Sequence, residues 1–238
     1  MRMQRFALAA AVLHGVLCAA AAPMAAQEVV GRLPAQSTLQ DLNDGQRFGA
    51  FAGWLTTGRD PVGIRAHSTA IVGARYVLLM GSPAYLSMRL YGMSSTHDVV
   101  NPKAAFAKRA AGTASANQIG ADASVEISLT GERTWHGVQP LTRFGLGFIA
   151  GVGNGFDLGG YKPGVSVVYL YGLGARFPMG NDADFRIDAN WMIYQVRYPQ
   201  AYKVTTATDS VAVRATGSLT PLTSNRAITA SWTWRLFR

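Results

Sequence analysis

From residue 48 to the C-terminus, apolar and polar residues alternate in segments of about ten residues. The last segment is the clearest, because one of its faces carries Ile228, Ala230, Trp232, Trp234 and Leu236. The other face carries Thr229, Ser231, Thr233 and Arg235. Strict alternation of this kind is typical of a β-strand whose two faces meet different surroundings. The pattern therefore predicts an all-β protein.

Eight segments of the chain have the length and pattern of strands. They cover residues 48–57, 68–80, 84–93, 122–130, 141–151, 165–177, 184–195 and 228–236. The first two segments are apolar on both faces. The pattern alone therefore does not fix which of their side chains face which way.

The connections between these segments alternate in length. Residues 58–67, 94–120, 153–164 and 196–225 form long connections, whereas residues 81–83, 132–140 and 178–183 form shorter ones. Outer-membrane barrels have short periplasmic turns and longer extracellular loops. We therefore predict an eight-stranded antiparallel up-and-down transmembrane β-barrel. The alternative is a soluble β-sandwich or lipocalin-like barrel, which has no reason to keep every second connection short.

In a barrel of eight strands, side chains fill the interior. The alternation assigns a mixed-sign set to that interior: Arg75, Arg89, Glu126, Arg143, Arg176, Arg186, Asp188 and Arg235, with Asp122 as a further counter-charge. Buried charges must be paired or hydrated. Packed against Gly145, Gly147, Gly172 and Gly174, this set indicates a polar plug rather than an open pore. The candidates for membrane-interface aromatics are Trp54, Tyr76, Tyr169, Trp191, Trp232 and Trp234.

The start of the chain has the pattern of a secretory signal peptide. Arg2 and Arg5 precede an apolar run over residues 6–22, and small residues follow before Glu28. We expect cleavage after Ala26, or alternatively after residue 22, which makes residues 1–26 the signal peptide. A membrane-spanning helix is the weaker interpretation of this run, because the run is short for crossing a bilayer. Residues 27–46 are then a periplasmic segment and residues 47–238 the barrel, with no separate cell-wall-binding domain expected.

Composition narrows the function classes. The formal net charge is +9, but lysine and arginine are scattered singly, so we expect contact with outer-membrane lipid and lipopolysaccharide rather than nucleic acid. The single cysteine, Cys18, lies in the signal peptide, which excludes disulfides and thiolate chemistry in the mature chain. We expect no cofactor, no metal site, no catalytic residue and a monomer.

Several polar residues are candidates for metal-binding or catalytic sites. His67, His97 and His136 lie on different connections without metal-ligand spacing, and we expect isolated polar loop histidines. Asp182 and Asp184 lack a complete calcium loop, and we expect turn residues. His67 and Ser68 are adjacent, so on a strand their side chains face opposite ways and make a poor catalytic dyad.

This combination resembles the small outer-membrane β-barrel family, the eight-stranded OmpA- and OmpX-type domain, over residues 48–237. Members of that family usually finish on an aromatic residue with apolar residues at every second position before it, which the barrel-assembly machinery recognises. Here Phe237 and Arg238 follow the alternation of Trp232, Trp234 and Leu236 out of phase. The resemblance implies an outer-membrane location and leaves the role open.

Three hypotheses follow for the function. The first is a non-enzymatic barrel with a structural or surface-interaction role carried by its long extracellular loops. The second is a lipid A-modifying hydrolase or acyltransferase. The third is a narrow pore or small-molecule-binding barrel that uses its arginine-lined interior.

Overall fold

The structure, a computed structural model, describes residues 37–42, 45–58, 60, 62–153, 157–180, 182–205 and 211–236. The predicted signal peptide and most of the predicted segment 27–46 lie outside these residues. All elements described below belong to the compact unit Thr38–Arg238.

Eight strands close into a barrel in which every neighbouring pair is antiparallel. Numbered in chain order with the four short strands included, they are β2 (Arg47–Thr56), β3 (Thr69–Gly81), β4 (Ala84–Met93), β7 (Gln118–Ser128), β9 (Gln139–Gly151), β10 (Ser166–Met179), β11 (Ala183–Gln195) and β12 (Leu222–Arg235). Each strand pairs with the next along the chain, and β12 pairs with β2 to close the wall. The predicted eight-stranded antiparallel barrel is therefore confirmed.

Four short strands lie outside the wall. At the end with short turns, β1 (Leu39–Asp41) pairs with β8 (Arg133–Trp135). At the other end, β5 (Thr96–Val100) pairs with β6 (Ala110–Ser115). Short 3-10 turns occur at Phe106–Lys108 and Gln200–Lys203. Each of these elements is too short to show a period in the sequence.

The four long connections all leave the same end of the barrel. They are loop 1 (residues 57–68), loop 2 (94–117), loop 3 (152–165) and loop 4 (196–221). Residues 82–83, 129–138 and 180–182 join the strands at the opposite, short-turn end. The alternation of long and short connections that the sequence predicts is therefore present.

Two strands begin at least four residues earlier than the pattern predicts. Strand β7 begins at Gln118, paired with Gly151, and β12 begins at Leu222, paired with Gln195. In these extensions Gly120 is inward and Arg226 is outward, which breaks the apolar/polar alternation. The backbone ladder continues because long partner strands are available on either side.

The register of the first two wall strands, which the sequence left open, is now defined. In β2, Phe51 and Leu55 point inward and are buried, whereas Phe48 and Trp54 are exposed on the outside. In β3, Arg75 is an inward residue that is only 1% exposed. The inside of the barrel is thus apolar near the loops and charged towards the short turns.

Candidate functional site: the barrel interior and its loop cap

The interior of the barrel holds an unusual concentration of buried charge. Ten of the charged side chains that point inward from the described strands are no more than 6% exposed: Arg47, Arg75, Arg89, Asp122, Glu126, Arg143, Arg176, Asp184, Arg186 and Asp188. Six are cations and four are anions. A buried charge is strongly unfavourable unless it is paired and hydrogen-bonded, so the contacts of these groups determine whether the arrangement is stable.

The first part of the network joins β4, β7 and β9. Arg89 donates two hydrogen bonds to Asp122, from Nε to Oδ1 at 3.0 Å and from Nη2 to Oδ2 at 2.7 Å. Arg143 donates from Nη2 to Ser124 Oγ at 2.6 Å, and the same nitrogen lies 3.6 Å from Glu126 Oε1. Paired arginine–carboxylate contacts of this kind fix the planes of both groups.

The second part crosses the interior to β11 and β3. Arg186 donates from Nη1 and Nη2 to the two oxygens of Glu126, at 2.6 and 3.0 Å. The Nε of Arg186 also donates to Asp188 Oδ1 at 2.7 Å. Arg75 Nη2 lies 2.7 Å from Asp188 Oδ2, and Arg75 Nη1 donates to Ser231 Oγ at 3.2 Å. We call seven charged residues the lumen network: Arg75, Arg89, Asp122, Glu126, Arg143, Arg186 and Asp188.

A smaller ionic group lies at the short-turn end. Arg47 and Arg176 both contact Oδ2 of Asp184, at 2.6 and 3.0 Å. Arg176 also donates to Gln139 Oε1 at 2.9 Å. The expectation that Asp184 is a turn residue is therefore wrong: β11 starts at Ala183, and the pleat directs Asp184 into the barrel.

Glycines on β10 make room for this network. A methyl group at Gly174 would lie 2.4 Å from Asp188 Oδ1, and one at Gly172 would lie 2.7 Å from Asn190 Oδ1. A cavity within the charged layer, lined in part by Arg47 and Glu126, has a volume of about 20 Å³. That volume corresponds to about one water molecule. The charged layer thus fills the interior.

The loop end of the barrel is closed by side chains from all four long loops. Ile64 of loop 1, Tyr161 of loop 3 and Tyr202 of loop 4 are buried against inward residues of the strands. Tyr202 donates to the carbonyl of Val100 in loop 2, at 3.5 Å, and Tyr198 of loop 4 donates to Asp60 Oδ1 of loop 1. These contacts tie the loops to one another, and we call this layer the loop cap.

A buried His–Asp pair belongs to the loop cap. His97 of loop 2 is 1% exposed, and its Nε2 lies 3.2 Å from Oδ2 of Asp157 in loop 3. The ring of Tyr161 meets the imidazole edge-on at 5.1 Å, and Asp157 Oδ1 accepts a hydrogen bond from the Tyr161 backbone N–H. The expectation of an isolated polar loop histidine is wrong for His97. Burial also raises the pKa of the Tyr161 and Tyr202 hydroxyls above its ordinary value.

A second loop histidine, His67, has polar partners at the surface. Its Nδ1 lies 3.2 Å from Thr96 Oγ1, and its Nε2 lies 3.3 Å from Asp98 Oδ2. Ser68 is not its partner, because Ser68 Oγ accepts a hydrogen bond from the backbone N–H of Thr57. About half of the His67 side chain is exposed.

The outer wall of the barrel is the opposite of its interior. Large apolar side chains on the described strands are widely exposed, for example Leu146 at 57% and Phe148 at 60%. Aromatic residues form two groups along this wall. The short-turn belt contains Phe48, Tyr76, Phe177, Phe185, Trp232 and Trp234, and the loop-side belt contains Trp54, Phe148, Tyr169, Tyr171 and Trp191. The remaining outward positions between the belts are mostly aliphatic or alanine, with Thr142 and Phe144 on β9 as exceptions.

Cross-strand register makes the short-turn belt continuous over five neighbouring wall strands, from β10 through β11, β12 and β2 to β3. Phe177 is opposite Phe185, which is opposite Trp232, with ring centroids 6.1 and 6.4 Å apart. On the next strands Trp234 is opposite Phe48, which is opposite Tyr76. In the loop-side belt Tyr171 and Trp191 stack with a centroid distance of 5.2 Å.

The structure places most of the predicted site residues where the alternation puts them. The buried inward residues among them are Arg75, Arg89, Glu126, Arg143, Arg176, Arg186 and Asp188, whereas Arg235 is half-buried at the end of β12. The six predicted interface aromatics all lie on the outer wall. Sequence reasoning missed Arg47 as an inward residue, because Arg47 lies one residue before the first predicted segment, whose register the pattern left open. The tyrosines of the loop cap carried no periodic signal.

No family model matches the chain, and no curated protein sequence matches it. Among the described residues, no helix is long and apolar enough to cross a membrane. Within the same residues, no group of three or more His, Cys, Asp or Glu side chains could hold a metal ion. What the structure itself defines is a closed eight-stranded antiparallel barrel with a filled, charged interior.

Proposed function

We propose that this protein is an integral outer-membrane β-barrel of the small OmpA/OmpX type, whose role is structural or is carried by its long loops at the cell surface. One observation carries the proposal: the barrel has its charges inside and its apolar side chains outside. In water this arrangement would expose a broad apolar wall, whereas soluble monomers rarely expose contiguous apolar patches beyond a few hundred Å².

The dimensions of the wall fit a bilayer. On β10 the outward positions are apolar or aromatic from Val167 to Met179, which is about 40 Å along the strand. With the strand tilt usual for such barrels, this corresponds to about 30 Å along the barrel axis, enough for an apolar band of about 25 Å. A closed barrel also pairs all its wall backbone groups, which hydrocarbon requires.

The filled interior favours a structural or surface role over transport. The lumen network and the loop cap occupy the two halves of the interior, and the cavity within the charged layer has a volume of about 20 Å³. In planar bilayers we therefore expect no steady current. A stable single-channel conductance would favour the alternative of a narrow pore.

Two measurements on one preparation test the proposed location. Cells that express the full chain are fractionated, and the barrel is then run on a gel with and without boiling. We expect the protein in the outer-membrane fraction, processed at the signal peptide, with a compact band that shifts on boiling. Soluble protein in the periplasm without a shift would contradict the proposal.

The proposed role of the loops has a separate test. Replacing residues 96–115 of loop 2 by a short turn removes β5 and β6, which lie outside the barrel wall. We expect insertion and the compact band to be retained, with any binding to surfaces or ligands lost. Loss of insertion would show that this hairpin belongs to the folding unit of the barrel.

A second candidate function is hydrolysis of an outer-leaflet lipid, and the contacts of His67 favour it. An imidazole between the hydroxyl of Thr96 and the carboxylate of Asp98 has the three group types of a nucleophile, a base and an orienting acid. Lipid A mass spectra from cells with the wild type, with His67→Ala and without the protein test this candidate. Identical spectra in all three would remove it.

A further inference from the structure

One charged residue stands out on the apolar outer wall. Among the outward positions of the eight described wall strands, only Arg226 on β12 is charged. The other outward residues are apolar or aromatic, apart from small or neutral polar residues, most of them near the strand ends. An isolated arginine on a lipid-facing wall needs a counter-charge.

The position of Arg226 along the wall is well defined by the strand register. Its Cα is opposite that of Trp191 on β11 and that of Thr56 on β2. Trp54, two residues before Thr56, is opposite Ile228 and lies diagonal to Arg226. Arg226 therefore lies at the level of the loop-side aromatic belt, where the apolar band ends and lipid headgroups begin.

The neighbours of Arg226 are suited to an anion and supply none themselves. Within the described part of the chain, no carboxylate pairs with its guanidinium. The hydroxyl-bearing residues Thr56 and Ser224 are exposed on the same face, one opposite Arg226 on β2 and one two positions earlier on β12. Directly opposed residues on adjacent strands have Cβ atoms about 5 Å apart, so these side chains can reach one ligand.

The chemistry of the guanidinium indicates which anion fits. Arginine presents a planar fork of donors that matches the oxygens of a phosphate, and hydroxyls add further hydrogen bonds. At this depth the only abundant anions beside the wall are lipid headgroups, whose phosphates lie at the level of the aromatic belts. A carboxylate on a soluble ligand would have to enter between lipids to reach the same side chain.

We propose that Arg226, Thr56 and Ser224 bind a phosphate group of an outer-leaflet lipid, with Trp54 and Trp191 packing against the lipid on either side. This inference rests on the proposed membrane location. The phosphate is carried either by lipid A, as a phosphomonoester, or by a phospholipid, as a phosphodiester. The guanidinium and two hydroxyls recognise what these two sources share.

The test compares lipid retention by matched variants. The full barrel in a neutral detergent is incubated with lipid A, with dephosphorylated lipid A or with phosphatidylglycerol, and bound lipid is counted by native mass spectrometry. We expect the wild type to retain the phosphorylated lipids and not dephosphorylated lipid A. Arg226→Gln should retain them about tenfold less, because it removes a charge-assisted contact. Arg226→Lys, which keeps the charge without the fork, should fall between the two.

Lys108→Gln is the matched control, because it removes one exposed cation from loop 2 and leaves the wall unchanged. It should retain phosphorylated lipids as the wild type does. A preference for lipid A or for phosphatidylglycerol identifies the natural source. Equal retention by the wild type and Arg226→Gln would overturn the proposal. The heat-shifted band is checked first, so that a failure of the barrel itself is distinguished from a failure of this site.

Discussion

The inner and outer faces of the same eight strands have opposite chemistry. Along β11, Arg186, Asp188 and Asn190 point inward, while Ile187 and Ala189 between them point outward. Inside the barrel, charges are tolerated because each is held by hydrogen-bonded partners of opposite sign or by polar groups. On the outside, the described wall strands carry a single charged residue, Arg226. The difference shows that neighbouring residues of one strand have opposite chemistry, polar on the inside and apolar on the outside, with a period of two residues.

The largest expected effect comes from breaking the inner face. Asp188→Asn keeps the shape of the side chain and removes the charge that faces Arg75 and Arg186. Removing one partner of a buried ion pair usually destabilises a protein by about 3–5 kcal/mol. Urea unfolding of the inserted barrel, followed by loss of the compact gel band, measures the change in the free energy of unfolding.

Thr229→Val is the control for that substitution. Thr229 lies opposite Asp188 on β12 and is 1% exposed, and its hydroxyl has no hydrogen-bond partner in the described structure. Its replacement should therefore change stability little. A loss for Asp188→Asn no larger than that of the control would mean that the lumen network does not stabilise the barrel.

The next effect comes from placing a charge on the outer face. Leu146 lies near the middle of β9 and is exposed on the wall. We expect Leu146→Arg to destabilise the barrel in liposomes by about 2–4 kcal/mol, because an arginine at the bilayer midplane loses its hydration. Leu158→Arg in loop 3, where the native side chain is even more exposed, should change stability by less than about 0.5 kcal/mol.

Equal effects of the two arginine substitutions would contradict the assignment of the wall to lipid. The comparison is therefore also a test of the location, made by stability rather than by fractionation. A soluble barrel would tolerate Leu146→Arg as well as Leu158→Arg, because the arginine would be exposed to water at either position.

A smaller effect is expected in the loop cap. His97→Ala leaves the Asp157 carboxylate buried without its imidazole partner. We expect this to lower the free energy of opening the loop cap by about 1–3 kcal/mol. Because loops 2 and 3 lie outside the wall, the compact gel band should persist while proteases cut these loops faster. His136→Ala, in the opposite turn, should leave the cleavage rate unchanged. A lost gel band would instead make the cap part of the barrel's cooperative unit.

The alternation predicted the wall well because a period of two residues is a local property. The order Trp232, Thr233, Trp234 is enough to predict which of these side chains point outward and which point inward. The interior position of Arg186 and Asp188 follows from the same alternation. Pairing in the lumen network could not be predicted. Arg186 contacts Glu126, which is 60 residues away in the chain, and only strand order and barrel closure bring them together.

The loop cap could not be predicted for a related reason. Loops have no period, so nothing in the sequence indicates that His97 meets Asp157 or that Tyr198 reaches Asp60. Asp184 was misassigned because it lies at the start of β11, directly after a turn. An aspartate at such a position fits a turn as well as it fits the first inward position of a strand. Boundaries of elements are where local patterns carry least information.

The smallest expected effect concerns the stacked pair on the outer wall. The rings of Tyr171 and Trp191 are parallel within 2°, and such pairs contribute about 0.5–1.5 kcal/mol beyond their buried area. Tyr171→Leu should therefore reduce the free energy of unfolding in liposomes by about that amount. Tyr169→Leu is the control, since Tyr169 is also outward on β10 but makes no ring contact within the described residues. If both substitutions have the same effect, position relative to the headgroups, rather than stacking, is what the aromatic belt contributes.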